Sequence, residues 1–512
     1  MKSLQYFGLS TILAILYGCG NDGSRNDAVT INDPMLPETS TLASSLFTIS
    51  GPTTALQDSQ FRLTLHTDTQ LEAIRWQQLS GPTVSLQETT PGTVDVITPA
   101  NNFDSQITIA ASVSNDQGES LQQQITIQVQ GYKLASIEDL TYQGAFRLDS
   151  ATHGDSTASY SNGAIAYNPN NHSIFYVGHQ YHQAIAEFPI PELVKQPSVE
   201  EDIRLLNTSY PSQDFVTILD KQPEGNPENL NRTTGIQFYN NHIYANYAVY
   251  YDAPGDTKDT SLVISGVDDL ANLQVSSIYE MEGAVHSAGW ISAMPQVWQD
   301  YFGYSHLAGY ASNLAINSRS SIGPTAFLMN LQDWHSTDTD KIPTEALMDF
   351  GLRHQIHPER YNESGDNNLW TELSEAHHGF IVPGTYTYMV IGRSGGHHSG
   401  LGYKITQNNG HTCGGPCAYD SRDYYNYYWL FDMKDMIAVQ QGVKQAYEIR
   451  PYDYGLLDTP YKNLQMAPEK VNLISGANYD AASNQLFVVL KGAGQLGHYD
   501  NPPVILVYQI GQ

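Results

Sequence analysis

"GAIAYNPNNHSIFYVGHQYHQAIAEFPIP" (residues 163–191) holds three short apolar runs separated by polar turns. Gly163 opens the first run, "NPNN" turns the chain, "SIFYV" makes a second run and "AIAEF" a third. Comparable segments begin at Gly235 ("GIQFYNNHIYANYAVYYDAPGDTKDTSLVIS"), Gly379 ("GFIVPGTYTYMVIGRSGGHHSG") and Gly476 ("GANYDAASNQLFVVLKGAGQLGHYDNPPVILVYQI"). A strand–turn–strand unit that recurs irregularly along residues 132–512 predicts a β-propeller. The stretches "GPTAFLMNL" (323–331) and "YYWLFDMKD" (427–435) read as degenerate copies. At roughly 40–50 residues per blade, the length predicts seven blades. Helix is confined to two short candidates, "MPQVWQDYFG" (294–303) and "DMKDMIAVQQG" (432–442).

Residues 45–131 have a different texture. "QFRLTLHT", "LEAIRWQQLSG", "TVDVITP" and "QQQITIQVQG" alternate apolar with polar and are broken by Gly, Pro, Asn and Asp. About seven such strands predict an immunoglobulin-like β-sandwich. The segment lacks cysteine, so Trp76 rather than a disulfide is the expected core anchor. "WQQLSGPTVSL" (76–86) followed by "SVSNDQG" (112–118) resembles the PKD-like members of that group. The resemblance implies a spacer. Sugar binding is the alternative, weakened by the absence of Tyr and the single Trp in this segment. The chain is therefore expected to be all-β, an Ig-like sandwich followed by a propeller.

The N-terminus reads as an address. Lys2 precedes an apolar run, Leu9 to Tyr17, that is too short to span a bilayer. The run ends "LYGC", which is similar to the lipobox of bacterial lipoprotein signals. That similarity implies a signal at 1–18, lipid on Cys19 and a flexible tether over 19–44 rich in Asn, Asp, Ser, Thr and Pro. Gly20, in place of Asp, implies outer-membrane sorting and display at the cell surface. The only membrane contact expected is this anchor. The 512 residues carry 24 Lys and Arg against 53 Asp and Glu, a net charge of -29. Such a surface repels nucleic acid. It suits salty surroundings, where self-repulsion is screened, so a marine bacterium and a monomer are expected.

Beyond Gly131 lie nearly all the tyrosines and histidines, and four clusters there could carry chemistry. "VGHQYHQ" (177–183) places His179, Tyr181 and His182 just past an apolar strand. "YANYAVYYD" (244–252) offers Tyr247 and Tyr251 on one strand face and Tyr250 on the other. Packing is the plainer reading of that ladder, although sugar clefts also use Tyr. Arg319 sits in a Ser-rich loop ahead of Gly323 and Pro324, where its fork suits a carboxylate but could equally meet an Asp. The fourth cluster lies in 392–420. Cys413 and Cys417, with His397, His398 and His411 near, read as a structural Zn²⁺ site (His398, His411, Cys413, Cys417) or as a disulfide in an oxidising compartment. No HExxH, P-loop or EF-hand loop is present.

The lipobox, the Ig-like spacer, the strand-end "VGH" (177–179), the Tyr-rich strand around Tyr247 and the Cys/His cluster together resemble the propeller polysaccharide lyases that degrade ulvan, a sulfated uronic-acid polymer. That resemblance covers at most residues 131–512. It implies cleavage of an acidic polysaccharide by β-elimination. A cation neutralises the uronate, a base removes the C5 proton and an acid protonates the leaving oxygen. It further implies His179 as base with His182 beside it, Tyr247 as acid and Arg319 as clamp, with Tyr250, Tyr251, His286 and Arg393 as substrate contacts. One departure stands out: Lys258 is the only cation in the loop after "YANYAVYYD". Two other readings fit the anchor and spacer, a non-catalytic propeller binding glycan or protein and a propeller glycoside hydrolase with two facing carboxylates.

Overall fold

The computed structural model describes residues 47–68, 73–114, 120–197, 201–310, 320–335, 341–464 and 467–511. The architecture is all-β. Two four-stranded sheets form the N-terminal sandwich, which gains one strand over expectation, Thr54–Leu56, running parallel to Ser120–Gln130. Leu63, Val94, Val96, Ile107, Ile109 and Ile127 fill the space between the sheets, and the half-buried Trp76 packs against them.

Five larger sheets follow, and each begins on a strand that lies innermost. The inner strands are Ile165–Asn168, Arg232–Tyr239, Trp290–Ala293, Glu375–Ile381 and Ile474–Asp480. Each packs beside the next, and the last packs beside the first, which closes a ring. The fifth sheet takes its outer strand, Leu140–Leu148, from the start of the domain, paired with the final strand Val504–Ile510. This joins the two ends of the ring by backbone hydrogen bonds and leaves that edge covered.

Five blades replace the expected seven. Two of the stretches counted as copies, 323–331 and 427–435, are third strands of blades already begun. The third blade escaped the pattern because helix Gln296–Phe302 lies between its first two strands, Trp290–Ala293 and His306–Gly309. Both expected helices form, the second as Met433–Gln440 capped by the Asp432 side chain.

Most strands are buried on both faces because every blade packs against two neighbours. Aromatic pairs mark four of the junctions: Phe175 with Phe238, Trp290 with Tyr388, Phe380 stacked on Tyr479 at 4.5 Å, and Tyr167 stacked on Phe487 at 4.9 Å. The hairpin of blade 2 turns on Asn240 and Asn241, both at positive φ (47° and 60°), as a two-residue type I′ turn requires.

The sandwich rests on the end of the ring where first strands finish. Leu56 enters the propeller core beside Trp298 and Tyr386. Gln130 Nε2 donates to the Thr385 carbonyl at 2.9 Å, and Thr54 Oγ1 to Asp300 Oδ2 at 3.0 Å. The opposite end, where first strands begin and second strands finish, is free of the sandwich.

Candidate functional site

A pocket of about 160 Å³ opens on the ring axis at that free end. Backbone geometry builds it. The inner strands of blades 2, 4 and 5 each carry a register slip near their start, between Thr233 and Gly235, Ala376 and His378, and Ile474 and Gly476. A bulge adds one residue and re-aims its side chain. The three extra residues, Thr234, His377 and Ser475, all line the pocket. Glycine seals the floor between them. A Cβ on Gly476 would lie 1.8 Å from the Gly163 carbonyl, and one on Gly235 2.2 Å from that of Gly289, so these backbones meet only because neither has a side chain.

Charge converges on this space. Arg232, Arg393 and Lys491 line it, with a single carboxylate among the described lining residues, Glu375. Glu375 and Arg393 face each other across the inner hairpin of blade 4, with Arg393 Nη2 donating to Glu375 Oε1 at 2.7 Å. Burial alone would raise the Glu375 carboxyl, but Arg393 outweighs it and holds it below the usual range. Arg232 and Lys491 have no carboxylate within ion-pair distance among the described residues. The Arg232 guanidinium instead lies 4.2 Å from the ring centre of Tyr250, a cation–π contact. Burial, then Arg393, pushes the Lys491 ammonium down to about 8, against the pull of Glu375. Burial, then Arg393, likewise keeps the His377 imidazole neutral, at about 3.

Five buried polar atoms in this wall have no hydrogen-bond partner among the described residues: Asn162 Nδ2, Arg232 Nε, His377 Nε2, His378 Nδ1 and Ser475 Oγ. Buried polar groups are nearly always paired, so five orphans around one pocket mark a polar cavity with unused hydrogen-bonding capacity. With two unpaired cations, its charge is complementary to an anion. In a chain of net charge -29, the cations are concentrated here against the overall sign.

The expected site residues divide. Arg393 is in the pocket. Tyr250 reaches it through Arg232, and Tyr251 is exposed in the same loop. His179 and His182 flank Gln180, which lines the pocket, but do not line it themselves. Their rings stack at 4.8 Å, and His182 Nδ1 lies 3.1 Å from Ser156 Oγ. Burial and then His182 lower the His179 imidazole. Tyr247 is 0% exposed in the core between blades 1 and 2, so it cannot meet a substrate as acid. His286 pairs with Asp349 at 2.6 Å, away from the lining. Lys258 pairs with Glu280 at 3.4 Å on the surface. Arg319 and Cys19 lie outside the described residues.

Cys413 and Cys417 are joined in a disulfide, the second of the two readings. It closes the end of the loop between the second and third strands of blade 4. With both sulfurs bonded to each other, the donor set does not fit zinc. His411 is exposed in that loop and His398 lies edge-on to Tyr425. Among the described residues no group of three or more His, Cys, Asp or Glu side chains is placed to hold a metal ion.

Arg232, His377, Ser475 and Lys491 are absent from the sequence expectations. A signal for the cations exists: Arg393 and Lys491 stand at matching strand ends, in "IGRSGG" and "VLKGAG", and Arg232 stands just ahead of Gly235. The first of these stretches also contains a G-x-S-x-G spacing, Gly392 to Gly396. Ser394 Oγ there lies 2.8 Å from His397 Nε2. Both side chains are buried in the blade rather than presented on a strand-to-helix turn, so the pair is not a nucleophile elbow.

No protein-family model matches the chain, and no curated protein matches it. Among solved structures, the chain is similar to a DUF4784 family protein from Bacteroides caccae ATCC 43185, at 10% identity over 60% of this chain and 85% of that one. The TM-score of 0.15 is too low for that likeness to carry any argument.

Proposed function

We propose that the axial pocket binds the carboxylate of a uronic-acid unit and that the protein cleaves an acidic polysaccharide by β-elimination, displayed at the cell surface on the lipid of Cys19. The observation that carries this is the convergence of Arg232, Arg393 and Lys491 with five unpartnered buried polar atoms. Arg232 and Arg393 neutralise the carboxylate and so acidify the C5 proton. Lys491, lowered to about 8, is neutral often enough near neutral pH to take that proton. The C5–H bond breaks, a C4–C5 double bond forms and the C4–O bond breaks. The leaving oxygen then receives the proton back from the Lys491 ammonium. Lys491 and Arg232 thus replace His179, Tyr247 and Arg319 in the reacting roles, while His179, Tyr181 and His182 form a rim along which the polymer continues. The pocket is smaller than the ~300–1,000 Å³ of most ligand sites, so it takes one acidic unit and leaves the rest of the chain outside.

A hydrolase would need two carboxylates across the scissile bond. Among the described lining residues there is one, Glu375, and Arg393 holds it. The test is ultraviolet absorbance of the unsaturated product with ulvan, alginate, pectin and glycosaminoglycans. A rise on one polymer is expected. New reducing ends without absorbance would mean hydrolysis, and silence in both would mean a binding protein.

A further inference from the structure

A second pocket, of about 490 Å³, lies on one face of blade 4, toward its outer edge. The third strand, Tyr424–Asp432, pairs there with the edge strand Asp453–Leu456 in the register Tyr427 to Leu456 and Trp429 to Tyr454. Directly paired residues share a sheet face, and Tyr425, two residues from Tyr427, joins them. The rings beneath are fixed. Tyr427 Oη donates to the Asn368 carbonyl at 2.7 Å, Trp429 Nε1 donates to that of Leu369 at 2.8 Å, and His397 stacks on Tyr427 at 5.1 Å. Above them Tyr454 and Leu456 are 38% and 59% exposed, on a strand whose far side has no partner strand among the described residues.

The cations of the axial pocket have no counterpart here. No Lys or Arg is among the described lining residues, and the Asp453 carboxylate turns to the other sheet face, where it accepts from Tyr428 Oη at 3.0 Å. Behind His398 the Asp423 carboxylate accepts from the backbone N–H groups of His397, His398 and Ser399. A uronate or sulfate would find no cation to meet it. A neutral ring with an apolar face and hydroxyls at its edge fits: aromatic faces meet its C–H side, while Asn368 and His398 can meet its hydroxyls. We propose that this pocket is a second glycan site, selective for a neutral pyranose chain. It does not depend on the elimination chemistry. The two pockets share one blade, three strand spacings or roughly 14 Å apart, so a polymer of mixed acidic and neutral units could span both.

The test is affinity electrophoresis of the full chain in native gels containing xyloglucan or galactomannan, with melting temperature as the check on folding. At least threefold retardation in one of these neutral polymers is expected, lost in Tyr454→Ala and weakened in Leu456→Thr. Both side chains are exposed, so neither change removes core. No retardation in either polymer, or equal retardation in wild type and both variants, would overturn the proposal. Retardation confined to an acidic polymer and lost in Tyr454→Ala would overturn the neutral class. No bond is broken in this readout, so its outcome is separate from that of the elimination assay.

Discussion

Arg232 is a cation with an orphaned Nε, a tyrosine face on one side and open pocket on the other. A charge so placed is worth most when an anion arrives. Arg232→Ala should lower kcat/KM on the responsive polymer by about 10- to 100-fold, as loss of a charged hydrogen bond worth about 1.5–3 kcal/mol implies. An unchanged value would remove Arg232 from the site. Lys491 gives a second handle. Its neutral form is the base, so the rate should climb as pH rises through about 8. Lys491→Arg stays charged across that range and should lose both the rate and the limb of the profile. Arg232 and Lys491 both stand near a glycine at a strand end, a signal shared with Arg393 that does not by itself single out a binding residue. Alternation along "YANYAVYYD" groups Tyr247 with Tyr251, but the strand ends at Ala248, so Tyr251 lies exposed in a turn, and in a blade packed on both faces alternation cannot say which side is buried. Tyr247 is core, the plainer reading of that ladder, and not the acid that the resemblance implies. Arg393 was expected only through the resemblance, and the bulges that aim His377 and Ser475 depend on cross-strand register, which no single strand encodes.

Gly476 and Leu140–Leu148 do their work as elements, by closing the ring. Adding a methyl at Gly476 drives Cβ into the Gly163 carbonyl, so Gly476→Ala should cost about 1–3 kcal/mol or more in denaturant unfolding. Gly414→Ala, with nothing within 4 Å, should stay within about 0.5 kcal/mol. Equal effects at the two sites would contradict the tight axis. On the closing strand, Phe146 is fully buried between blades 1 and 5, and Phe146→Ala should cost about 3–5 kcal/mol. The hairpins themselves were legible, since apolar runs around turns such as "YNNH" and "DAASN" write them plainly. The blade count was not. Blade 3 hides a helix inside its first hairpin and blade 4 carries a long loop between its second and third strands, so spacing along the chain no longer measures blades.

At the scale of the whole molecule, the sandwich lies under one end of the ring and the cationic pocket opens at the other, which suits a spacer that presents the pocket outward. The fold also carries buried histidines whose protons matter to it. Burial lowers His306 to about 4 and His378 to about 3, so both are neutral when folded. The unfolded chain protonates them below about 6.5, so it binds more protons between about 4 and 6.5. Stability therefore falls as pH drops through that window, by about 2 kcal/mol per histidine at pH 5. Denaturant unfolding at pH 7 and pH 5 should show this loss, and His306→Phe should make it about 2 kcal/mol smaller; the same loss in both proteins would contradict it. The most direct test of the pocket's chemistry is the ultraviolet elimination assay with the full chain and Lys491→Met, on the acidic polymer that responds most strongly. The expected result is a loss of at least 100-fold in Lys491→Met with the melting temperature retained. A Lys491→Met rate equal to wild type would show that the axial pocket does not perform the elimination.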